Sequence, residues 1–450
     1  MKKITAAMVM IAFILCMTAC SADDSIRSQE NAVAGVKEDT AGADTTNTEG
    51  IVEDASATGK ETTEINTTKT DITETDITET DTAETESEET EGDVYILEPR
   101  AVPEGYETAR GLLATELVSE LKVGWNLGNT MDAAGGETAW GNPTTTQELI
   151  DAVAAKGFNT LRIPTSWGQF AKEKDGKYMI SPNWLNRVGE IADYALKNDM
   201  YVIINTHHET DWLVPTNSKM EEAEPRFIAI WTQIASYFKD YGDHIIFEGL
   251  NEPRVVGGPQ EWNGGNYENR DNINRLNRDF VNTVRAIKGN NETRLLLITS
   301  EAASVSDNAL GDVRIPNNDP YVGMSLHAYT PYEFTYAAAH GYDTWDGSHT
   351  YDISWMFGQL DKYFLSKGIP VVLTEYGAER RGKGETNNDE QVCYWIKDYL
   401  TLAKENGVPT VIWDNGITDG QGERFGLIDR RKLTWDRESV VDTIMQVVYK

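Results

Sequence analysis

Two glutamates stand just beyond stretches of sequence that have the pattern of buried strands. Glu252 lies in "FEGLNEPR" (residues 247–254), behind an apolar run that ends at Phe247, and Glu375 ends the run "PVVLTE". Burying a carboxylate is costly unless it is paired or hydrogen-bonded, and proteins accept that cost mostly where chemistry requires it. Because carboxyl groups can transfer protons or act as nucleophiles, these two residues are the first candidates for a catalytic centre.

Eight apolar, β-rich runs recur along the chain, and amphipathic segments separate them. The runs are "KVGWNL", "NTLRIP", "YVIINT", "HIIFEGL", "RLLLIT", "YVGMSL", "PVVLTE" and "TVIWDN". Segments such as "TQELIDAVAAKGF" and "NWLNRVGEIADYALKNDM" have apolar residues at the three- and four-residue spacing of helices. Continuous apolar strands indicate a parallel sheet covered on both faces. Eight such units predict a (β/α)8 TIM barrel over residues 99–450, with a doubly wound open sheet as the alternative.

Polar and aromatic residues follow the carboxyl ends of seven of these runs and favour the barrel. They are Asn126, Arg162, His207 with His208, Asn251 with Glu252, His327 with Tyr329, Glu375 and Trp413. A barrel brings the carboxyl ends of its strands together on one face, whereas an open sheet spreads them along an edge. The sequence therefore predicts one site that contains an arginine, two glutamates and several hydrogen-bonding side chains.

Eight motifs in this order resemble glycoside hydrolase family 5, specifically its bacterial endoglucanase branch with broad β-glucan activity. They are "GWNLGNTMDA", "ETAWGNP", "LRIPTSW", "NTHHE", "GLNEPR", "SLHAYTP", "LTEYG" and "WDNG". The resemblance implies a retaining endo-β-1,4-glucanase that hydrolyses internal bonds of cellulose and related β-glucans without a cofactor. Xyloglucanase, lichenase, xylanase or mannanase activity is the alternative, since loop residues set substrate choice. A non-catalytic, sugar-binding surface lipoprotein is more remote, because the set of site residues is complete.

The resemblance also implies roles for the site residues. Glu252 would be the acid/base and Glu375 the nucleophile of a mechanism that needs their carboxyl groups about 5 to 5.5 Å apart. We expect Glu252 to be held neutral and Glu375 ionised, the latter by the permanent charge of Arg162 and a hydrogen bond from Tyr329. Asn251 is placed for the sugar 2-hydroxyl, a contact that strengthens in the transition state.

Histidines of the motif set are expected around the reacting sugar. By resemblance, His207, His208 and His327 are hydrogen-bond partners of the substrate, and Asn126 belongs to the same binding set. Imidazoles also suggest a metal site. Adjacent residues of a strand point to opposite faces, and no helical HExxH spacing supplies a third ligand, so we predict no metal. A core histidine bonded to the backbone is the alternative for His208.

Tryptophans are the expected sugar platforms, because an aromatic ring can cover the C–H face of a sugar. By resemblance, Trp413 forms the floor of the subsite beside the cleavage point. Trp140, Trp167 and Trp212 are candidates for neighbouring subsites, with a place in the core or on the rim as the open alternative for each.

Composition limits the partners of the protein. The 450 residues carry a net charge of -33, which disfavours nucleic acid, anionic lipid and acidic polysaccharide and fits a neutral β-glucan. We expect a monomer. Cys393 is the single cysteine beyond the first twenty residues, so no disulfide is expected in the body of the protein, and its thiol is interpreted as a small apolar group.

The N-terminal region has the pattern of a bacterial secretion signal followed by a tether. Residues 1–20 begin with two lysines, continue as an apolar stretch too short to span a membrane and end in "MTAC", which resembles a lipoprotein signal with Cys20 as the lipidated residue. Simple secretion is the alternative. Residues 21–98 hold 23 acidic and 4 basic side chains and predict a disordered linker. We therefore expect an extracellular enzyme held by Cys20 at the outer face of the cell membrane, with no other membrane contact.

Overall fold

The eight apolar runs form the strands of a closed, all-parallel barrel. The computed structural model describes residues 98–174, 176–336, 341–382, 387–420 and 422–450. Its barrel strands are β1 (Val123–Asn126), β2 (Thr160–Ile163), β3 (Tyr201–Asn205), β4 (Ile245–Glu248), β5 (Leu296–Ile298), β6 (Val322–His327), β7 (Val371–Tyr376) and β8 (Thr410–Ile412). Each strand pairs with its neighbours in sequence, and β8 closes the ring by pairing with β1. The predicted TIM barrel is confirmed, and the open sheet is excluded.

Helices surround the strands, and all but the first pack their apolar faces into the main core. They are α1 (Ala114–Glu120), α2 (Gln147–Lys156), α3 (Pro182–Leu196), α4 (Asn217–Tyr237), α5 (Tyr267–Ile287), α6 (Asp307–Gly311), α7 (Tyr332–Thr335), α8 (Thr350–Tyr363), α9 (Asp389–Glu405) and α10 (Glu438–Tyr449). The two amphipathic segments predicted as helices are α2 and α3. Helix α2 begins where the Thr146 side chain accepts a hydrogen bond from the Leu149 N–H, and it ends at Gly157 with a φ of 116°. A hydroxyl cap and a glycine in the left-handed region are the usual helix boundaries.

Apolar side chains fill the barrel interior. One buried cluster combines strand residues with residues of α1, namely Ile203, Ile246, Leu297, Val372 and Val411 with Leu117 and Val118. The N–H of Ala114 donates to the carbonyl of Pro320, just before β6, so α1 lies at the end where the strands begin. The opposite end, where the strands finish, is left for the polar residues.

The first residues of the described body are anchored to the barrel helices. The Arg100 N–H donates to the carbonyl of Tyr237, and its guanidinium bonds Asp193 at 2.7 Å. The predicted leader, Cys20 and residues 21–97 of the linker lie outside the described residues and stay predictions. Across the described ranges, none of the helices combines the length and hydropathy needed to cross a membrane.

Candidate active site

A fully buried arginine organises the polar residues at the carboxyl end of the barrel. Arg162, at the end of β2, donates to Glu375 Oε1 at 2.7 Å and to Asn251 Oδ1 at 2.7 Å. It also donates to Asn126 Oδ1 at 2.9 Å and, through two nitrogens, to Glu248 at 2.6 and 3.0 Å. Buried charges are tolerated when they are paired and hydrogen-bonded. Each of the three guanidinium nitrogens of Arg162 donates to at least one carboxylate or amide oxygen.

Glu248 is a site residue that the sequence analysis missed. It ends β4, is fully buried, and accepts a hydrogen bond from Ser325 Oγ at 2.6 Å in addition to those from Arg162. It appears within the quoted "FEGLNEPR", but its neighbours in sequence do not reveal its partner. The charge of Arg162 is therefore shared between two carboxylates rather than reserved for Glu375.

Asn126 lies behind the cleft, which corrects its predicted contact with substrate. Its amide nitrogen donates to the backbone carbonyls of Thr374, Val411 and Ile412, and its oxygen accepts from Arg162. With no exposed surface and all these partners inside the protein, Asn126 and Arg162 position other groups instead of touching a sugar. Asn251 differs, because its oxygen is held by Arg162 while its amide N–H groups are the donors that it can offer to a sugar hydroxyl.

The two predicted catalytic glutamates face each other across His327. Glu252 Oε1 lies 2.8 Å from His327 Nδ1, while His327 Nε2 lies 3.6 Å from Glu375 Oε1. Tyr329 donates to Glu375 Oε2 at 3.1 Å. Oxygens of Glu252 and Glu375 come within 4.8 Å of each other. The structure thus brings together both glutamates, Arg162, His327 and Tyr329, as the sequence predicted.

The pKa shifts of the two glutamates run opposite to the expectation from sequence. Burial raises the pKa of Glu375, against the opposing charges of His327 and Arg162. Burial also acts on Glu252, but the hydrogen bond from His327 and the charge of Arg254 outweigh it, so the pKa of Glu252 is lowered. In the free cleft, Glu252 is therefore the more readily ionised of the two. A sugar that covers it would add to its burial and favour the protonated acid.

Aromatic rings form one wall beside the glutamates. The rings of His207 and Trp413 are nearly parallel, with centroids 5.9 Å apart, and the His208 ring meets that of His207 at 4.4 Å. Trp140 continues the wall, 5.6 Å from His208, with 44% of its surface exposed. Gly128 permits this packing, since a Cβ there would lie 2.7 Å from the Trp413 ring. Burial also lowers the pKa of His207, so its ring is neutral.

The geometry overturns the argument used against a metal at the paired histidines. Strand β3 ends at Asn205, so strand alternation does not apply to His207 and His208, and one ligand atom from each lies within 4.8 Å of an oxygen of Asp132. Glu252, His327 and Glu375 form a second such group. The prediction that the enzyme uses no metal therefore loses its argument from strand alternation, keeps the absence of a helical HExxH spacing and stays a prediction.

Two of the candidate platform tryptophans differ in burial. Trp167 is fully buried, and its indole N–H donates to the carbonyl of Asn205 at 2.7 Å. The indole N–H of Trp212 donates to Glu209 at 2.5 Å, and the guanidinium of Arg226 lies 4.2 Å from its ring centroid. Trp167 is therefore a core residue, whereas the half-buried Trp212 stays a candidate platform.

The loop after Glu252 carries a feature that the sequence analysis overlooked. Arg254 approaches Glu252 Oε2 at 3.4 Å, bonds Glu261 at 3.0 Å and lies 4.4 Å from the ring centroid of Trp262. Trp262 is 60% exposed. A tryptophan within a glycine-rich segment directly after a predicted catalytic glutamate was the available signal in the sequence.

Comparisons with known proteins agree with this geometry. Residues 126–419 match the family model described as Cellulase (glycosyl hydrolase family 5). Endoglucanase A of Ruminococcus albus is 47% identical over 345 residues, which cover 75% of this chain and 93% of that protein.

Solved structures show the same similarity. A GH5-4 broad specificity endoglucanase from Clostridium acetobutylicum superposes with a TM-score of 0.71 at 41% identity, covering 74% of this chain and 99% of that one. A GH5 xyloglucan-specific endo-β-1,4-glucanase from a metagenomic library, in complex with cellotriose, gives 0.70 at 43% identity, covering 74% and 98%. The chain therefore belongs to glycosyl hydrolase family 5.

Proposed function

We propose that the protein is a retaining endo-β-1,4-glucanase that cleaves internal bonds of β-glucan chains. The closeness of the two catalytic carboxyl groups carries this proposal. Their oxygens come within 4.8 Å, whereas an inverting enzyme keeps its carboxyl groups about 6.5 to 9.5 Å apart to admit a water. The relatives described above are endoglucanases, which supports the same activity here. The intact set of site residues disfavours a protein that only binds sugar.

In the first step, Glu375 attacks the anomeric carbon while Glu252 protonates the glycosidic oxygen. The bond to the leaving chain breaks as the bond to Glu375 forms, which gives a glycosyl-enzyme. Arg162 and Tyr329 each hold one oxygen of Glu375 and so fix its orientation. Because these donors are already in place, little reorganisation is needed at the moment of attack.

In the second step, Glu252 takes a proton from a water molecule, which attacks the same carbon and releases Glu375. The sugar thereby keeps its β configuration. His327, 2.8 Å from Glu252, can share a proton with it during this cycle. The amide of Asn251 is positioned for the 2-hydroxyl, and Trp413 would stack on the ring that reacts.

Azide rescue tests the roles of the two glutamates. On an aryl cellobioside whose leaving group needs no proton, Glu252→Ala should still form the glycosyl-enzyme, and added azide should release a β-glycosyl azide. Glu375→Ala cannot form that intermediate, so any rescue should give the α-azide. Exchange of the two configurations would reverse the assignment, and release of α-configured sugar by the unmodified enzyme would refute retention.

Substrate range is the finer part of the proposal. Xyloglucan is a specific second candidate because one similar structure is of a xyloglucan-specific enzyme. Initial rates on carboxymethylcellulose, xyloglucan, mixed-linkage glucan, xylan and mannan would rank these polymers. Activity on mannan or xylan alone would contradict a β-glucanase.

We also propose that Cys20 carries a lipid anchor and that residues 21–98 tether a monomeric enzyme outside the cell. The sequence supports this through its leader pattern and acidic linker. Labelled palmitate should enter the unmodified protein but not Cys20→Ala in the native host. Equal labelling of both, or of neither, would contradict the anchor.

A further inference from the structure

Each of the two catalytic glutamates faces an arginine, but the two arginines are held differently. Arg162 donates to Glu375 at 2.7 Å and is fully buried. Arg254, on the loop after β4, keeps 17% of its side chain exposed and approaches Glu252 Oε2 at 3.4 Å. The other oxygen of Glu252 lies 2.8 Å from His327 Nδ1. Arg254 is therefore the looser of the two cations, and the two chemical steps described above do not use it.

The loop after β4 positions Arg254 through several contacts. Its Nη1, which approaches the carboxylate of Glu252, also donates to the backbone carbonyl of Glu252 at 3.0 Å. Its Nε donates to Glu261 Oε1 at 3.0 Å, and its guanidinium lies 4.4 Å from the ring centroid of Trp262. The second oxygen of Glu261 accepts the N–H of Gly257 at 2.8 Å, so the loop backbone fixes Glu261. The charge of Arg254 is thus divided between Glu252 and an acid of the same loop.

Other ionisable groups also surround Glu252. They come from several elements, namely His208 after β3, Glu301 after β5, His327, Tyr329 and Tyr336 at and after the end of β6, and Glu375 on β7. The positive charges of His327, Arg254 and His208 favour the ionised form of Glu252, whereas the neighbouring carboxylates oppose it. Of the three groups that favour ionisation, only the arginine keeps its charge at every pH of interest.

The acid/base must change its charge between the two steps of the reaction. Glu252 gives up a proton in the first step and must be ionised in the second, when it takes a proton from water. Formation of the glycosyl-enzyme converts Glu375 into a neutral ester, which removes one like charge near Glu252. A fixed cation beside Glu252 Oε2 adds to this change and favours the ionised form that the second step needs.

We propose that Arg254 is a positioning residue of the reaction, which keeps Glu252 ionised for the second step, and that Glu261 limits this effect by sharing the charge of Arg254. The proposal rests on the glucanase function above. Arg254 acts through Glu252 and does not itself contact the reacting atoms.

The test follows the pH dependence of two reactions. On cellohexaose, the basic limb of kcat/KM reports loss of the proton that Glu252 must donate. On 2,4-dinitrophenyl β-cellobioside, whose leaving group needs no proton, breakdown of the glycosyl-enzyme limits kcat, and the acidic limb reports protonation of Glu252. Arg254→Met should move both limbs to higher pH by about half to one pH unit, the size expected for one charge a few ångströms away at a partly exposed site.

Two further variants separate the charge of Arg254 from its packing. Arg254→Lys keeps the positive charge and should leave both limbs much closer to their positions in the unmodified enzyme. Glu261→Gln removes the competing acid, so both limbs should move in the opposite direction, to lower pH. A loop that is merely loosened would shift the limbs in the same direction in Arg254→Met and Glu261→Gln.

Arg270→Met is the matched control. Arg270 is also 17% exposed, bonds Asp312 at 2.7 Å and donates to the carbonyls of Gly264 and Gly265 in the same loop. It makes no hydrogen bond or ion pair with Glu252 within the described part of the chain. Its loss should lower the stability of the protein and leave both pH limbs in place.

The outcomes separate failure of this proposal from failure of the proposed function. Unchanged limbs in Arg254→Met, equal shifts in Arg254→Met and Arg270→Met, or a shift from Glu261→Gln to higher pH would refute the proposal. An unmodified enzyme that hydrolyses no β-glucan would instead refute the glucanase function.

A titration without turnover decides whether Arg254 controls the charge of Glu252 in either case. Carbon-13 NMR of the glutamate carboxyl groups follows their ionisation, and comparison with Glu252→Gln assigns the signal of Glu252. Arg254→Met should raise the pH at which this signal titrates, by about the same half to one pH unit, whereas Arg270→Met should not. The same titration in Arg254→Met and the unmodified protein would overturn the proposal.

Discussion

The centre of the cleft and its rim are built on different principles. At the centre, Arg162 is fully buried and each of its bonds goes to another protein group. At the rim, Trp140 and Trp262 expose 44% and 60% of their surface. The centre is thus preorganised before substrate arrives, whereas the rim leaves apolar faces uncovered. We infer that the centre sets the rate of chemistry and the rim sets affinity and substrate choice.

Two buried carboxylates, one at the centre and one below the rim, also differ in whether the protein supplies their hydrogen-bond partners. Glu248 receives bonds from Arg162 and Ser325. Glu301, just after β5, is 2% exposed, and its Oε2 has no partner among the described residues. It lies under Gly265, where a Cβ would come within 2.8 Å of its side chain. Gly265 belongs to the loop that carries Trp262. This loop of the rim therefore packs on a carboxylate that lacks the hydrogen-bond donors that Glu248 has at the centre.

Removing Glu248 should have the largest effect. Glu248→Ala leaves the Arg162 charge buried with one carboxylate fewer, and breaking a buried ion pair costs about 3–5 kcal/mol. The free energy of unfolding from urea titration should fall by that amount, and kcat should fall by at least 100-fold because Arg162 can no longer hold Glu375 and Asn251 in place. Ser325→Ala, which removes one bond to Glu248, should cost only about 1 kcal/mol. Equal costs for the two variants would show that the centre is not organised as described.

The tryptophans at the two ends of the aromatic wall should affect different kinetic constants, kcat at one end and KM at the other. Trp413→Ala, beside the reacting sugar and 9% exposed, should lower kcat on cellohexaose more strongly than it raises KM. Trp140→Ala, at the exposed end of the wall, should raise KM about three- to tenfold with little change in kcat. Steady-state kinetics of both variants measure the split. A loss of kcat from Trp140→Ala equal to that from Trp413→Ala would remove the distinction between centre and rim.

Glu301 should have a smaller effect that depends on pH. Burial raises the pKa of Glu301 to about 8, with Glu261 and Glu252 adding to the rise and the charges of Arg254 and Arg270 opposing it. The unfolded chain ionises near 4.5. The folded state therefore binds the proton more tightly, and stability falls as the pH rises from about 4.5 to about 8.

Replacing the acid by an amide should remove this decline. Glu301→Gln should gain on the order of 2 kcal/mol relative to the unmodified protein between pH 5 and pH 8, less than the full pKa shift because the carboxylate can turn toward the two arginines. Urea titrations at pH 4.5 and pH 8 measure the change, with the lower pH as the internal control. A stability difference that is the same at both pH values would show that Glu301 does not titrate in this range.

Much of the site could be predicted from residues that follow apolar runs. The sequence placed Arg162 and Tyr329 against Glu375, and the structure has these contacts at 2.7 and 3.1 Å. It failed for Glu248, whose partner Arg162 is 86 residues away, since no local period records such a pairing. It also failed for His207 and His208, because they were treated as strand residues although β3 ends at Asn205. Strand ends are where periodicity stops carrying information about side-chain direction.

Through its resemblance to glycosyl hydrolase family 5 the sequence predicted the catalytic pair, and by itself it determined the barrel and the face that carries the polar residues. These follow from patterns between near neighbours in the chain, where apolar periodicity and strand ends are recorded directly. Only the tertiary structure decided which groups saturate Arg162, that Asn126 lies behind the cleft, and that the pKa of Glu375 is raised while that of Glu252 is lowered. Burial and charge act through space, and the partners that matter here are as far as 286 residues apart in sequence, so their balance exists only once the barrel has closed.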